Sequence, residues 1–375
     1  MTAQGREALN ALLDDRVSWP PVVIPFGLDP FGWHGQRESY GEVCAFALEH
    51  CTLLPKVIPF SSPLFLGEGE VRIAVNVGVE KDGTRVRRLE LTGADCMLHM
   101  EETQTENDAS WKVRKRWINS DEDLSLFLTL TGLTPEEPDI DAVRAKELQV
   151  GQHGLPYVEV ADPFYTVCEM FPTELFYTKT RTDLPRITRL LDQTEERIIH
   201  GIERLCTGAG CPFILRLIGA EMAVPPFMGR DGFERFEDRF YKRVASIARQ
   251  AGVPTAFHCH GPVLEIMDSV WNMGYAFIEP FEPPPRGNVS IAEALAISGR
   301  RGIVFGGIDD VTLMTGRPDE VRAAVASCLE DAMGSHAPYM LSQTATPFHD
   351  PLSDAARDNL ILFMELGTRG AAFGA

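Results

Sequence analysis

Short apolar runs alternate with longer amphipathic segments from Phe213 to the end of the chain. The short runs have the length of β-strands, and the longer segments repeat their apolar positions with the period of a helix. The pattern predicts strands at 213–218, 253–260, 275–279, 302–305 and 339–342. It predicts helices at 232–250, 263–272, 290–297, 318–332 and 354–366, with Ser290 as an N-cap. Strands that alternate with helices in this way indicate a parallel sheet covered by helices.

The first half of the chain extends this pattern and interrupts it once. Strands at 22–25 and 157–160 and a helix at 184–205 belong to the same series, and an eighth strand is expected between residues 44 and 60. Residues 71–117 instead alternate apolar and polar positions around a turn at Lys81-Asp82-Gly83, which is typical of antiparallel hairpins. We therefore predict an α/β fold, a (β/α)₈ TIM-type barrel forming one domain over 1–375. Residues 65–125 form a β-hairpin insertion or subdomain in it.

Composition narrows the class of protein. Of the 375 residues, 44% are hydrophobic and 24% charged, as in an ordinary globular protein. The net charge of −19 argues against a nucleic-acid surface, although a small anionic substrate remains possible. No apolar run approaches the roughly 20 residues that span a bilayer, and no signal peptide is evident. The eight cysteines lack C-x-x-C spacing, so we expect reduced thiols and a cytoplasmic protein without a membrane partner.

The segment His258-Cys259-His260-Gly261 is the first candidate for chemistry. It ends a predicted strand, and barrel enzymes place their active sites at the carboxyl ends of their strands. Side chains alternate along a strand, so His258 and His260 should share a face and could converge on a metal ion or an anion. The alternative is a pair of hydrogen-bonded structural histidines.

Carboxylates follow the neighbouring strands. Glu221, Glu279 and Asp309 are each at or just beyond a strand end. Glu221 or Glu279 beside two imidazoles would complete a three-ligand metal site with an open position, or would serve as a base. Each carboxylate alone also fits an acidic loop or a helix cap. Tyr165 is a further catalytic candidate.

Two loops are expected to contribute to the pocket. After the last strand come Thr344, as a pocket residue, and His349, which is either a third imidazole ligand or an ordinary surface residue. After the first strand come four residues that could cover the barrel mouth and contact substrate. These are Asp29, Trp33, His34 and Arg37.

Three motifs resemble the uroporphyrinogen decarboxylase superfamily. His258-Cys259-His260-Gly261 is similar to the H-x-C-G of its corrinoid-linked methyltransferases. The segment 273–276 leads into Glu279-Pro280 as in the family, and 306–309 is similar to its G-N-I-D. The decarboxylases carry R-Q-A-G-R where this chain has Gly35-Gln36-Arg37-Glu38, so the methyltransferase-like branch fits better.

The resemblance implies a (β/α)₈ barrel with its site at the carboxyl-terminal mouth. In the methyltransferases, zinc is bound by the histidine and cysteine of H-x-C and by a later cysteine. His258 matches the histidine, His260 stands at the first cysteine position, and Thr344 lies near the second. We therefore expect a divalent metal, zinc foremost, held without thiolates by His258, His260 and either Glu221 or a glutamate such as Glu279. A corrinoid carrier, possible corrinoid-protein partners and a homodimer are implied as well.

The leading functional hypothesis is a metal-dependent methyltransferase of the demethylase type. It would move a methyl group between a small methylated substrate and a corrinoid or other carrier. One alternative is a decarboxylase or lyase in which the histidines act as acid and base. The other is a non-catalytic barrel that binds a small ligand.

Overall fold

The protein was analysed as a computed structural model that describes residues 4–15, 21–93, 96–105, 111–130, 132–335 and 337–370. These residues form two compact units. The first comprises Met1–Ile58, Ile140–Val160 and Ala209–Ala375, and the second comprises Pro59–Asp139 and Ala161–Gly208, within the described ranges.

The first unit contains an eight-stranded sheet. Numbered along the whole chain, its strands are β1 (Val22–Ile24), β2 (Lys56–Val57), β7 (Tyr157–Ala161), β8 (Ile214–Ile218), β9 (Thr255–His258), β10 (Phe277–Phe281), β11 (Ile303–Ile308) and β12 (Tyr339–Gln343). Their order is β1-β12-β11-β10-β9-β8-β7-β2. The pairs β1–β12, β12–β11, β11–β10, β10–β9, β9–β8 and β7–β2 are parallel. The backbone N–H of Thr52, just before β2, donates to the Val23 carbonyl of β1 at 3.0 Å, which links the two end strands. The predicted (β/α)₈-type fold is confirmed, including the strand expected between residues 44 and 60.

Helices accompany these strands. Those of the first unit are α1 (Gly5–Asp15), α2 (Gly41–His50), α4 (Ile140–Val150), α8 (Arg230–Phe236), α9 (Asp238–Ala251), α10 (Leu264–Met273), α11 (Ile291–Ser298), α12 (Asp310–Thr315), α13 (Pro318–Gly334) and α14 (Asp354–Arg369). Ser290 caps α11 as predicted, and Glu293 completes a capping box. The single helix predicted at 232–250 is wrong, because Glu237, at φ −116°, separates α8 from α9.

The second unit contains an antiparallel sheet and four helices. Its strands are β3 (Arg72–Val79), β4 (Arg85–Gly93), β5 (Cys96–Gln104) and β6 (Lys112–Lys115), and its helices are α3 (Asp121–Thr129), α5 (Pro163–Cys168), α6 (Thr173–Thr182) and α7 (Leu184–Gly208). The strands pair in chain order, so the predicted hairpins are confirmed. The predicted turn is also present, with Gly83 at φ +87° donating to the Glu80 carbonyl. Residues 94, 95 and 106–110 of the predicted hairpin stretch lie outside the described residues.

An apolar layer fills the barrel interior near the amino ends of the strands. Its members come from neighbouring strands or the residues next to them: Leu54, Tyr157, Ile214, Ala256 and Phe277. Leu9 and Leu12 of α1 belong to the same buried cluster, so an amphipathic helix packs against this core.

Two findings concern the chain as a whole. No helix in the described ranges is both long and apolar enough to cross a membrane. Seven cysteines are free thiols, as expected from their spacing: Cys44, Cys51, Cys168, Cys206, Cys211, Cys259 and Cys328.

Candidate active site

A layer of charged and polar side chains lies directly beyond the apolar layer. It contains one residue from each of five neighbouring strands, each two positions after a member of the apolar layer: Lys56, Glu159, Arg216, His258 and Glu279. Because side chains two apart on a strand face the same side, the same alternation that buries the apolar layer turns these groups into the barrel. His258 and Glu279 are directly opposite each other in the β9–β10 register. We call these five residues the charged layer.

Arg216 is the centre of the charged layer. Its Nη1 contacts Glu159, its Nε donates to Glu279 Oε1 at 2.6 Å, and its Nη2 lies 2.7 Å from His258 Nδ1. The guanidinium carbon lies 5.0 Å from the ring centroid of Phe26 and 5.3 Å from that of Tyr157. Two carboxylates and two aromatic faces thus compensate a buried cation.

The carboxylates of the charged layer stay ionised. Burial alone would raise the pKa of Glu279, but Arg216 and His258 bring that pKa down to about 2. Burial likewise opposes ionisation of Glu159, yet Arg216 and Lys56, whose Nζ lies 3.3 Å from Glu159 Oε1, lower its pKa. Arg216 is therefore committed to internal partners and is not free to bind a substrate anion.

His258 is held neutral by its surroundings. Burial lowers its pKa, the charge of Arg216 lowers it further, and Glu279 only partly opposes them. Its Nδ1 lies 2.7 Å from Arg216 Nη2 and 3.0 Å from Glu279 Oε2. Accepting from Arg216 places the ring proton on Nε2, whereas donating to Glu279 leaves a lone pair there. In both tautomers Nδ1 is engaged by the charged layer, so Nε2 is the ring atom left for a ligand.

His260 lies beside His258, as the sequence predicted. Their ring centroids are 4.6 Å apart and the rings are perpendicular. The strand prediction was two residues too long at each end, because β9 covers only Thr255–His258. Pro254 has no N–H to donate to a ladder, and Gly261 turns the backbone at φ +82°. The turn, and not strand alternation, places the His260 ring.

Glu282 fixes His260. Its Oε1 lies 3.3 Å from His260 Nδ1, and its Oε2 accepts the Gly261 N–H at 2.6 Å. Burial would lower the pKa of His260, but Glu282, with smaller contributions from Glu279 and Glu221, raises it. The side chain is 40% exposed. The surroundings of His260 therefore favour the imidazolium, whereas those of the adjacent His258 favour the neutral ring.

Glu221 supplies an acceptor to the same region. It lies in a 3₁₀ turn, Ala220–Met222, directly after β8. Its Oε2 is buried and has no hydrogen-bond partner among the described residues. The charge of Glu221 contributes to raising the pKa of His260. An unpaired buried acceptor is costly, so this oxygen is suited to a ligand's donor.

The predicted metal site was tested against these contacts. In the described part of the chain, no group of three or more His, Cys, Asp or Glu side chains is placed to hold a metal ion. The cationic Arg216 lies 2.7 Å from the His258 ring nitrogen, which disfavours a divalent cation there. Cys259 is buried with its thiol directed at the His260 carbonyl, 3.6 Å away. As placed, these side chains do not fit a metal, and metal binding stays a prediction.

Three of the predicted residues follow β11 and β12. Asp309 caps α12 by accepting the Val311 N–H at 3.0 Å, and it pairs with Arg286 at 3.4 Å. Thr344 is buried, and its Oγ1 accepts the Asp310 N–H at 3.2 Å. His349 is exposed. Helix capping explains Asp309, and the catalytic, pocket and ligand roles of these three residues stay predictions.

The residues predicted to cover the mouth pack against the loop after β12. His34 is buried, its Nε2 lies 2.9 Å from the Pro347 carbonyl, and burial lowers its pKa. Trp33 contacts His34 edge-on, and Arg37 lies over the Trp33 ring at 4.3 Å. Asp29 pairs with Lys146 at 2.9 Å. All four side chains therefore make contacts within the protein. Their predicted contacts with a substrate stay predictions.

Tyr165 belongs to the second unit. It lies in α5, where its backbone N–H donates to Oδ1 of Asp162, the N-cap, at 2.6 Å. Its catalytic role stays a prediction.

Sequence reasoning missed Lys56, Glu159 and Arg216. A signal was present, because Glu159 and Arg216 are each the only charged residue in an otherwise apolar strand, as Glu279 is. A lone charge in a buried parallel strand needs a partner on the adjacent strand. Three such strands in one barrel predict a shared network.

Comparisons with known proteins agree on the architecture. The chain matches the family model described as uroporphyrinogen decarboxylase (URO-D) over residues 158–354. A methyltransferase from Methanosarcina mazei has a similar structure, with a TM-score of 0.62 and 14% identity over all of both chains. The YdhT protein from Bacillus subtilis gives a TM-score of 0.32 at 12% identity over 59% of this chain and 69% of its own, which is too low to inform the fold. No curated protein matches the chain significantly by sequence.

Proposed function

Because the chain belongs to the uroporphyrinogen decarboxylase family, we propose that it is an enzyme that removes a methyl group from a small methylated substrate at the carboxyl end of its barrel. The observation that carries the proposal is the adjacent pair of His260, whose pKa is raised, and His258, whose pKa is lowered, together with the buried, unpaired oxygen of Glu221. This set offers a proton donor, an imidazole nitrogen and an acceptor on one side of the charged layer.

Three features favour methyl transfer within the family. The segment 35–38 lacks the arginine-rich pattern that the decarboxylases carry at this point. The chain also shares its fold over its full length with a protein described as a methyltransferase. Arg216 is neutralised by Glu159 and Glu279, so it does not supply the carboxylate grip that a decarboxylase substrate needs.

The proposed reaction needs a proton at the leaving atom. The methyl group of an ether or amine would pass to a nucleophilic carrier, for which a reduced corrinoid or a thiolate has the required chemistry. The bond from carbon to oxygen or nitrogen breaks, and its electron pair stays on the heteroatom. His260 donates the Nε2 proton to that atom, and its proton is restored from solvent. Glu282 holds the imidazolium, and Glu221 accepts a hydrogen bond from the substrate or the product.

A panel of methyl ethers, methylamines and methyl thioethers tests the proposal, with cob(I)alamin or a thiol as the acceptor. We expect the demethylated product and the methylated acceptor to form in equal amounts, measured by mass spectrometry and by the corrinoid absorption spectrum. Release of CO₂ from a carboxylated analogue, with no methyl transfer across the panel, would instead establish the decarboxylase.

A metal-dependent transfer is the second candidate, and the unpaired Oε2 of Glu221 favours it, because carboxylate oxygens ligate zinc. On the first proposal, protein purified without chelator contains far less than one metal ion per chain, and its activity survives chelation. Metal analysis by mass spectrometry checks this. One zinc per chain, lost in both His258→Ala and His260→Ala, would overturn the metal-free reaction in favour of the second candidate.

The pH profile tests the role of Glu282. The pKa of His260 is raised, so its acid form is present at low pH and is lost as the pH rises through that pKa. The rate should therefore fall on the alkaline side. Glu282→Gln removes the main raising interaction, so the fall should begin at lower pH, while the exposed Glu265→Gln on α10 should leave the profile unchanged. An unmoved alkaline limb in Glu282→Gln would show that another group is the acid.

A further inference from the structure

Glu221 is the one carboxylate of the described site that lacks a cationic partner. The charged layer pairs two cations with two carboxylates, and His260 pairs with Glu282. Glu221 forms no ion pair with a described residue, and its buried Oε2 accepts no hydrogen bond from one. Even with His260 in its imidazolium form, this part of the site therefore carries one negative charge in excess.

The carbonyl of Pro225 is a second acceptor in the same segment. Residues 221–225 follow β8, with Glu221 in the 3₁₀ turn and Pro225 four positions later. The Pro225 carbonyl accepts no hydrogen bond from the described residues, and a proline has no backbone N–H to donate. Glu221 and Pro225 thus offer acceptors without a donor between them.

Open space lies between this segment and the turn that carries His260. A Cβ added at Gly261 would meet a single heavy atom of the neighbouring described elements, the Pro225 carbonyl oxygen, at 4.0 Å. The His260 side chain next to it is 40% exposed. The loop after β8 therefore approaches the His260 turn and leaves room beside it for a small polar group.

We propose that the substrate carries an ammonium group, which donates to Glu221 and to the Pro225 carbonyl while the methylated oxygen faces His260. An ammonium has three donors and no acceptor, so it matches a border made of acceptors. The substrate class is then a methyl ether with an ammonium group a few bonds from the ether oxygen. The position of the methyl group rests on the proposed function, whereas the ammonium site itself does not.

Charge balance is the reason for choosing a cation. A bound ammonium compensates Glu221 in the way that Glu282 compensates His260. A substrate carboxylate would find no free guanidinium in the charged layer, because Arg216 is held by two carboxylates. An uncharged donor would leave the charge of Glu221 uncompensated. The net charge of −19 also favours the approach of cations over anions.

Ligand-detected NMR titration tests the ammonium site without turnover, using methoxyethylammonium and its uncharged isostere methyl propyl ether. We expect the ammonium to bind at least about tenfold more tightly, because its hydrogen bonds are charge-assisted. Glu221→Gln keeps the shape of the side chain and should abolish this preference, whereas Glu265→Gln, an exposed glutamate on α10, should retain it. Equal affinities for the two compounds, or a zinc ion lost in Glu221→Gln, would overturn the proposal.

Steady-state kinetics separates the ammonium site from the reaction itself. Glu221→Gln should raise the KM for methoxyethylammonium at least about tenfold and leave kcat nearly unchanged, because the ammonium lies away from the breaking bond. An ammonium preference in binding without any methyl transfer would remove the proposed reaction and support the ammonium site. Methyl transfer from both compounds with equal KM would support the reaction and overturn the ammonium site.

Discussion

We expect His260→Gln to reduce the kcat of the proposed methyl transfer by about 10²- to 10⁴-fold, the usual contribution of a positioned general acid. The neutral amide cannot deliver a proton to the leaving heteroatom, although it keeps a polar group near Glu282. The loss should be smallest for substrates with a good leaving group, such as the methyl ether of a phenol with a low pKa, because the phenolate departs without protonation. Steady-state kinetics across a series of leaving groups measures this dependence.

His200→Gln is the control for this experiment. His200 on α7 also pairs with a glutamate, Glu137, at 2.9 Å, and its 39% exposure is close to the 40% of His260. The control variant removes a histidine–glutamate pair without touching the barrel, so kcat should stay within about twofold of the wild type. A His260→Gln enzyme as active as the control would remove His260 from the reaction.

Arg216→Met lowers the free energy of unfolding by about 3–5 kcal/mol, the typical result of removing one partner from a buried ion network. Glu159 and Glu279 would then lose the cation that holds their pKa values down, and both carboxylates are buried. Denaturant unfolding followed by circular dichroism measures the change. Arg204→Met, in the exposed pair with Glu137, should cost no more than about 1 kcal/mol.

A compensating triple variant separates charge from packing. Glu159→Gln, Arg216→Met and Glu279→Gln together remove both anions with the cation, and we expect most of the lost stability to return. If the triple variant is as unstable as Arg216→Met alone, the loss is due to packing around Phe26 and Tyr157 and not to uncompensated charge.

The pattern of hydrophobic positions was sufficient to predict the alternating strands and helices of the barrel. Seven of the eight strands lie in short, mainly apolar runs. β2 is only Lys56-Val57, so it could be placed only as an expectation between 44 and 60. The hairpins were equally readable, because their period of two differs from the surrounding helical period. The break at Glu237 was not readable, because the residues around it keep the apolar spacing of one continuous helix.

The candidate site was predicted only in part, for a geometric reason. His258 and His260 are neighbours in sequence, so their proximity could be inferred from the motif alone. The charged layer brings together residues up to 223 positions apart (Lys56 and Glu279), and a single sequence does not state which strands are adjacent. The sequence predicted Glu279 as a metal ligand or base, whereas the described contacts commit it to Arg216 and His258.

The charged layer also restricts how this barrel can vary among related chains. A neutral residue at position 216 would leave two buried carboxylates without their cationic partner. A neutral residue at 159 or 279 would leave the positive charge of Arg216 with one anionic partner fewer. Substitutions at these three positions should therefore be accepted together or not at all. Aligned relatives should carry either the complete Glu–Arg–Glu set or an apolar replacement of the whole set, so covariation at 159, 216 and 279 would mark inheritance of this barrel interior.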